Sequence, residues 1–352
     1  MENLEKIEKL LDRGEFARAL AAVKKTKAGQ GKARLLFLKG EALRGLGLFG
    51  DAIKEYGAAR KAARGDAELG LETLISETRC CRALGNEKGA LASAKNALTL
   101  SRKLAIYCVE AELEWALALR LTGRLAEAAK LLEKLLKNYK KTSDWAGAAF
   151  TLWALGGLYR LQGRYAEGIA AFEASLKFAR KDGDEAAAGY ALFGMGGLLR
   201  VAGFMGRALD CYVRARRLFA ATDDTFAKAY AECGTSNVLR QLGRLEEAYA
   251  GYTRAHKLYS GIADWADLGF VEWGMGEIKK KNGDFSAALD HYNKGAALFK
   301  GRSEPRGEAL TLLSLANLYY LMGRTARAEA QHAAALKFIK RHALHTHLET
   351  FT

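Results

Sequence analysis

The sequence contains a single proline, Pro305, among 352 residues. Proline gathers in turns and loops, so a β-rich or loop-rich chain of this length would carry many more. Alanine, leucine, lysine, arginine and glutamate dominate instead, and these are the strong helix formers. The composition predicts an all-α protein. Cysteine is sparse as well. The five residues Cys80, Cys81, Cys108, Cys211 and Cys233 are odd in number and form no CxxC pair, a usage that fits a reduced, intracellular chain better than a disulfide framework. No apolar run approaches the ~20 residues that a bilayer crossing needs. The opening MENLEKIEKLLDRGE is charged at every turn and lacks the apolar core of a secretory signal. The expectation is a cytoplasmic protein without membrane insertion. Negative charge is in deficit: 55 Lys and Arg stand against 40 Asp and Glu, a formal net charge of +15. That balance predicts an acidic partner, whether a protein segment, a nucleic acid or an anionic surface.

Glycine is plentiful. The stretch FGMGGLLRVAGFMGRAL, residues 193–209, holds five. A phosphate-cradling loop uses glycines for close backbone approach, but it stands between a strand and a helix. The surrounding pattern excludes that context. Gly163, Gly203, Gly243, Gly283 and Gly323 follow one another at intervals of 40 residues, and Gly123, Gly85, Gly47 and Gly14 continue the series toward the N-terminus at 40, 38, 38 and 33. Nine copies of one unit are predicted over residues 1–341, with 342–352 as a tail or helix extension. Each copy reads as two helices. In the fifth, apolar residues recur at three and four before the glycine (Phe150, Trp153, Leu155, Leu158, Tyr159) and again after it (Ile169, Phe172, Leu176, Ala179). The glycine ends the first helix, since it takes the left-handed cap conformation without steric cost. Asp66, Asp144, Asp184, Asp224 and Asp264 each lie 19 residues before a turn glycine, where aspartate makes a good N-cap. Glu304 takes that place in the last copy, and Pro305 follows at the first helical position, which favours proline. Gly194, Gly196 and Gly197 therefore fall inside a first helix, where small residues let helices approach closely.

These units resemble the tetratricopeptide repeat (TPR), whose pattern W-x-x-L-G-x-x-Y, glycine, A-x-x-x-F-x-x-A is met by several copies. Copy five supplies Leu155, Gly156, Tyr159, Gly163, Tyr165 and Phe172; copy six supplies Gly196, Gly203, Ala208, Tyr212 and Ala215; copy two supplies Gly40, Phe49, Ala52, Tyr56 and Ala59. The usual period is 34 residues. The longer period here resembles LGN/Pins-like and kinesin-light-chain-like repeats and the repeat domains of bacterial peptide-sensing regulators. Where LGN-type repeats carry asparagine in the first helix, this chain has Gly157, Gly197, Asn237, Glu277 and Asn317. The resemblance implies a right-handed superhelix, an α-solenoid of about nine helix-turn-helix repeats. Its first helices would line a concave groove through repeat positions 2, 5, 9, 12 and 13, with the turn glycine at position 15.

Position 12 then gives Arg44, Arg82, Arg120, Arg160, Arg200, Arg240 and Lys280. Position 2 gives Phe150, Tyr190, Tyr230 and Phe270, and position 5 gives Trp153, Phe193, Cys233 and Trp273. Asn237 and Asn317 occupy position 9. A basic stripe beside an aromatic one suits an extended acidic peptide: arginine forks grip carboxylates and aromatic rings anchor apolar side chains. The alternative assigns the same residues to the fold: a basic residue late in a helix favours the helix dipole, and the rings pack on neighbouring repeats. Changing Arg160, Arg200 and Arg240 together to glutamate is expected to leave the fold intact and abolish partner capture. The leading function is a non-catalytic adaptor for a protein or peptide. Single-stranded RNA in the same groove is one alternative. Self-assembly is another, opposed by the polar first helix with Glu2, Glu5, Lys6, Glu8 and Lys9, so that a monomer or weak self-association is expected. No catalytic constellation, cofactor site or metal site emerges. His342, His345 and His347 crowd the tail RHALHTHLETFT without further ligands at metal spacing.

Overall fold

In the computed structural model, residues 2–26, 31–63, 65–262, 264–300, 304–342 and 344 are described. They form eighteen α-helices and no strand. The helices come in pairs: α1 (Glu2–Asp12) and α2 (Phe16–Lys25), α3 (Lys32–Gly45) and α4 (Phe49–Ala62), α5 (Ala67–Ala83) and α6 (Glu87–Leu104), α7 (Cys108–Leu121) and α8 (Leu125–Lys141), α9 (Trp145–Leu161) and α10 (Tyr165–Asp182), α11 (Glu185–Val201) and α12 (Met205–Ala220), α13 (Thr225–Gln241) and α14 (Leu245–Gly261), α15 (Trp265–Lys281) and α16 (Phe285–Phe299), α17 (Pro305–Leu321) and α18 (Thr325–Arg341). The chain divides into two compact units, residues 1–198 with 214–227, and residues 199–213 with 228–352.

The turn chemistry is repeated with little variation. All nine turn glycines have positive φ, between 65° at Gly85 and 85° at Gly203. In the fifth pair Gly163 N–H donates to Arg160 O at 3.2 Å and Arg164 N–H to Tyr159 O at 2.9 Å. This two-bond closure satisfies carbonyls that the helix end would leave open. The predicted aspartate caps form: Asp66, Asp144, Asp184, Asp224 and Asp264 each accept the backbone N–H three residues ahead, at 2.7 to 3.1 Å. Glu304 precedes Pro305 at the start of α17 but makes no side-chain cap bond.

The core is built from alanine, leucine and rings at fixed repeat positions. Leu117 and Leu132 are fully buried in the first unit, each burial contributing about 1.5–3 kcal/mol. Gly194, in the 193–209 stretch, has a packing reason. Phe172, on α10, lies against the backbone of its own first helix at Gly156 and of the next at Gly194. A Cβ at those positions would meet the Phe172 ring at 2.9 and 2.3 Å. In the first unit α1 packs on α3, α3 on α5, α5 on α7 and α7 on α9; in the second, α15 packs on α17. Among α2, α4, α6, α8 and α10 no two consecutive helices pack to that extent. The first helices thus form the crowded inner layer of each unit, the layer that carries positions 2, 5, 9 and 12.

Candidate functional site

The basic residues at position 12 divide by what holds them. Arg44, half-buried, grips Glu41 three residues back at 2.6 Å, and Tyr56 OH donates to the same carboxylate at 2.7 Å. Burial alone would raise the Glu41 pKa, but the Arg44 charge and hydrogen bonds from Arg44, Ser76 and Tyr56 outweigh it and hold the carboxyl at about 2. Lys280 repeats the arrangement in the second unit, 2.9 Å from Glu277, which also accepts from Tyr292 OH. Arg82 and Arg79 together hold Glu114 of the next first helix at 3.0 and 2.9 Å. Glu114 is 1% exposed, and the paired arginines lower its pKa against the opposing effect of burial. Arg44, Arg82 and Lys280 are therefore matched by carboxylates of the chain itself.

In the first unit a different surface develops. Phe150, 38% exposed, tilts against Trp153 at 5.5 Å. Trp153 meets Tyr190 edge-on at 6.4 Å, and Tyr190 meets Phe219 at 5.0 Å. Tyr190 OH donates to Asp224 at 2.7 Å. Arg120 reaches over this ladder: its guanidinium lies 5.4 Å from the Trp153 ring and donates to Ala154 O at 3.1 Å. Gly157 makes room for it, since a Cβ there would come within 2.7 Å of Arg120 Nη1. Arg160 is exposed and in no ion pair among the described residues. Phe150, Trp153, Gly157 and Arg160 share one face of α9 by their spacing of three and four. Phe193 is buried, at 8% exposure.

In the second unit Phe270 is half-buried and packs on Phe299 at 4.9 Å. Trp273 is buried, its Nε1 donating to Ser314 at 2.8 Å. Arg240, 5% exposed, stacks over Trp273 at 4.8 Å, and its Nε donates to Tyr252 OH at 3.3 Å. Exchanging Arg240 for glutamate would bury a carboxylate against a ring, so the triple glutamate change cannot leave the fold untouched. Arg160 is the residue on which the stripe can be tested cleanly. Tyr230, Arg200 and Asn237 are half-buried, and Asn317 is exposed. Tyr252 OH donates to Asn237 Oδ1 at 2.7 Å. Cys233 is half-buried, and burial pushes its thiol up to about 12. All five cysteines are free thiols. His342 stacks on Phe338 at 4.3 Å, while His345 and His347 lie outside the described residues. Among the described residues no cluster of three His, Cys, Asp or Glu has metal-site geometry. None of their helices is long and apolar enough to cross a membrane.

Sequence reasoning missed Glu41, Glu114 and Glu277, the internal partners of the basic stripe. Two carry a signal: an acid three residues before the basic one and a tyrosine nine residues after the turn glycine, as in Glu41, Arg44, Gly47, Tyr56 and in Glu277, Lys280, Gly283, Tyr292.

Tetratricopeptide-repeat signatures match residues 107–181 and, through a second signature, residues 309–348. These two segments carry tetratricopeptide repeats, and the helix pairs on either side of them share the same fold. Solved TPR-type structures resemble it over nearly its whole length. A Rap protein complexed with competence and sporulation factor superposes with a TM-score of 0.70 at 14% identity, covering 97% of this chain and 98% of that one. The apo form of the quorum sensor NprR from B. thuringiensis gives 0.62 at 15% identity, covering 96% and 98%. A STAND signal-transduction ATPase with a tetratricopeptide-repeat sensor, from Pyrococcus horikoshii, gives 0.62 at 16% identity, covering 96% of this chain and 54% of that one. At these identities the likeness is one of fold. No curated protein matches the TPR chain by sequence.

Proposed function

We propose that this TPR protein is a non-catalytic adaptor that holds an extended, acidic peptide segment of a partner on the inner layer of its first unit. The observation that carries this reading is the exposed Arg160, without an ion pair among the described residues, on the same helix face as the Phe150–Trp153–Tyr190 ladder. Arg160 would take a carboxylate in bidentate fashion. Arg120, already stacked on Trp153, adds charge beside the rings, and Phe150 and Trp153 would receive an apolar side chain. The net charge of +15 favours encounter with an acidic segment. That a structure of the same fold was solved with competence and sporulation factor bound suits a ligand-holding role. The free cysteines suit a reducing, cytoplasmic setting, with the protein monomeric or weakly self-associating.

The test is affinity capture from native lysate, with and without nuclease, comparing the wild type with Arg160→Glu and Phe150→Ala. The reading expects an acidic protein ligand that survives nuclease and is lost with either variant. Capture abolished by nuclease would transfer the site to single-stranded nucleic acid, and recovery of the protein alone would point to self-assembly.

A further inference from the structure

The second unit contains a basic residue whose counter-charge is missing. Copies two and eight share one arrangement: a carboxylate at position 9, a basic residue at position 12 and a tyrosine at position 24 that donates to the carboxylate. Copy two realises it as Glu41, Arg44 and Tyr56, and copy eight as Glu277, Lys280 and Tyr292. Copy seven keeps the basic residue and the tyrosine, Arg240 and Tyr252, but has Asn237 where its siblings have glutamate. Tyr252 OH gives its proton to Asn237 Oδ1 at 2.7 Å and accepts from Arg240 Nε at 3.3 Å. Arg240 is 5% exposed, makes no ion pair with any described residue, and has its Nη2 buried without a hydrogen-bond partner. One face of the guanidinium is closed by Trp273, which Ser314 fixes in orientation. The Arg200 charge acts alongside that of Arg240 on Cys233 and Tyr252. Asp267 acts on Cys233 in the opposite sense.

A guanidinium taken out of water without an anion is among the costliest burials in a protein, whereas a paired and hydrogen-bonded one is tolerated. We infer that Arg240, Asn237, Tyr252 and Trp273 form a receptor for one carboxylate group supplied from outside the chain. The carboxylate would supply the charge that Glu41 and Glu277 supply in their copies, set between Arg240 and Asn237. One oxygen accepts from Arg240 Nη2. The other accepts from Asn237 Nδ2, whose present acceptor is the weak one offered by Cys233 Sγ at 3.8 Å. Trp273 keeps water from one face of the pair. The inference rests on the peptide reading only for the acidity of the ligand. It adds a second contact point, in the other unit, where a single carboxylate is held singly and deep.

The test is thermal unfolding and calorimetric titration of the full chain with three carboxylates: N-acetylglycine for a chain end, N-acetylglutamic acid amide for a side chain, and succinate for a free small acid, each against chloride at equal ionic strength. At least one should give a saturable rise in Tm of about 2 °C or more, and the one that does identifies the source. Asn237→Glu should melt above the wild type, because it supplies the missing partner in cis, and should lose the ligand-dependent rise. Arg240→Met should lose the rise as well. A wild type indifferent to all three carboxylates would overturn the inference, as would an equal rise in all three proteins. Arg160→Glu should keep the rise while losing the acidic peptide. Peptide binding intact in Arg160→Glu together with a normal rise would sink the peptide reading and spare the receptor. A missing rise beside normal peptide binding would do the reverse.

Discussion

Replacing Glu41 by glutamine keeps the shape of the side chain and removes its charge, leaving Arg44 half-buried beside Tyr56 with no carboxylate. The Glu41 carboxyl is held at about 2 instead of the ordinary 4.5. Each tenfold change in proton affinity corresponds to about 1.4 kcal/mol, so the ionised form contributes about 3 kcal/mol to the first unit at neutral pH. Because the folded-state pKa is depressed, that contribution is fully present above about pH 4.5 and fades as the pH falls toward 2. Protonated glutamic acid and glutamine are then nearly equivalent. Urea unfolding followed by circular dichroism, at pH 7, 5.5, 4 and 3, should show Glu41→Gln less stable by about 3 kcal/mol at pH 7, with the gap to the wild type narrowing at each step below pH 4.5. A gap under about 1 kcal/mol at pH 7, or one that stays constant with pH, would refute the assignment of Arg44 to an internal partner.

Other outcomes follow from the same geometry. Glu114→Ala removes the shared carboxylate of Arg79 and Arg82 between α5 and α7 and should destabilise by about 3–5 kcal/mol, read as a lowered urea midpoint. Gly163→Ala places a side chain at φ +73° and should cost about 1–2 kcal/mol in the same assay, with no change in acidic-peptide affinity. Leu132→Ala opens a cavity in the fully buried core of the first unit and should cost about 2–5 kcal/mol. Arg160→Glu, on an exposed position, should change stability by less than about 0.5 kcal/mol.

Much of the fold was legible because its signals are local. A glycine that must take positive φ, an aspartate that caps the next helix, and the 3.6-residue periodicity all sit within a few residues of what they determine. Gly163 and Asp144 announced their roles without reference to anything distant. The inner layer was legible as a set of positions and less so as an arrangement. Seven basic residues at one repeat position look alike in sequence, yet Arg44 is neutralised three residues away and Arg82 across the repeat boundary, while Arg120 donates to a backbone carbonyl, which no side-chain pattern reveals. Glycine at position 9 in copy five gives Arg120 its place over Trp153 and leaves Arg160 without an acid in the place that Glu41 fills for Arg44. That distinction depends on a residue's absence of a side chain, and it becomes visible only when the repeats are compared in three dimensions.

The central claim is that the first unit takes an acidic peptide through Arg160 and the aromatic ladder. Its most direct measurement is a fluorescence-anisotropy titration of a labelled peptide combining glutamates with one aromatic residue, against the wild type, Arg160→Glu and Phe150→Ala, at two salt concentrations. The account predicts saturable binding by the wild type, weaker at high salt, reduced at least tenfold by Arg160→Glu and clearly weakened by Phe150→Ala. Equal affinity for the wild type and Arg160→Glu would contradict it.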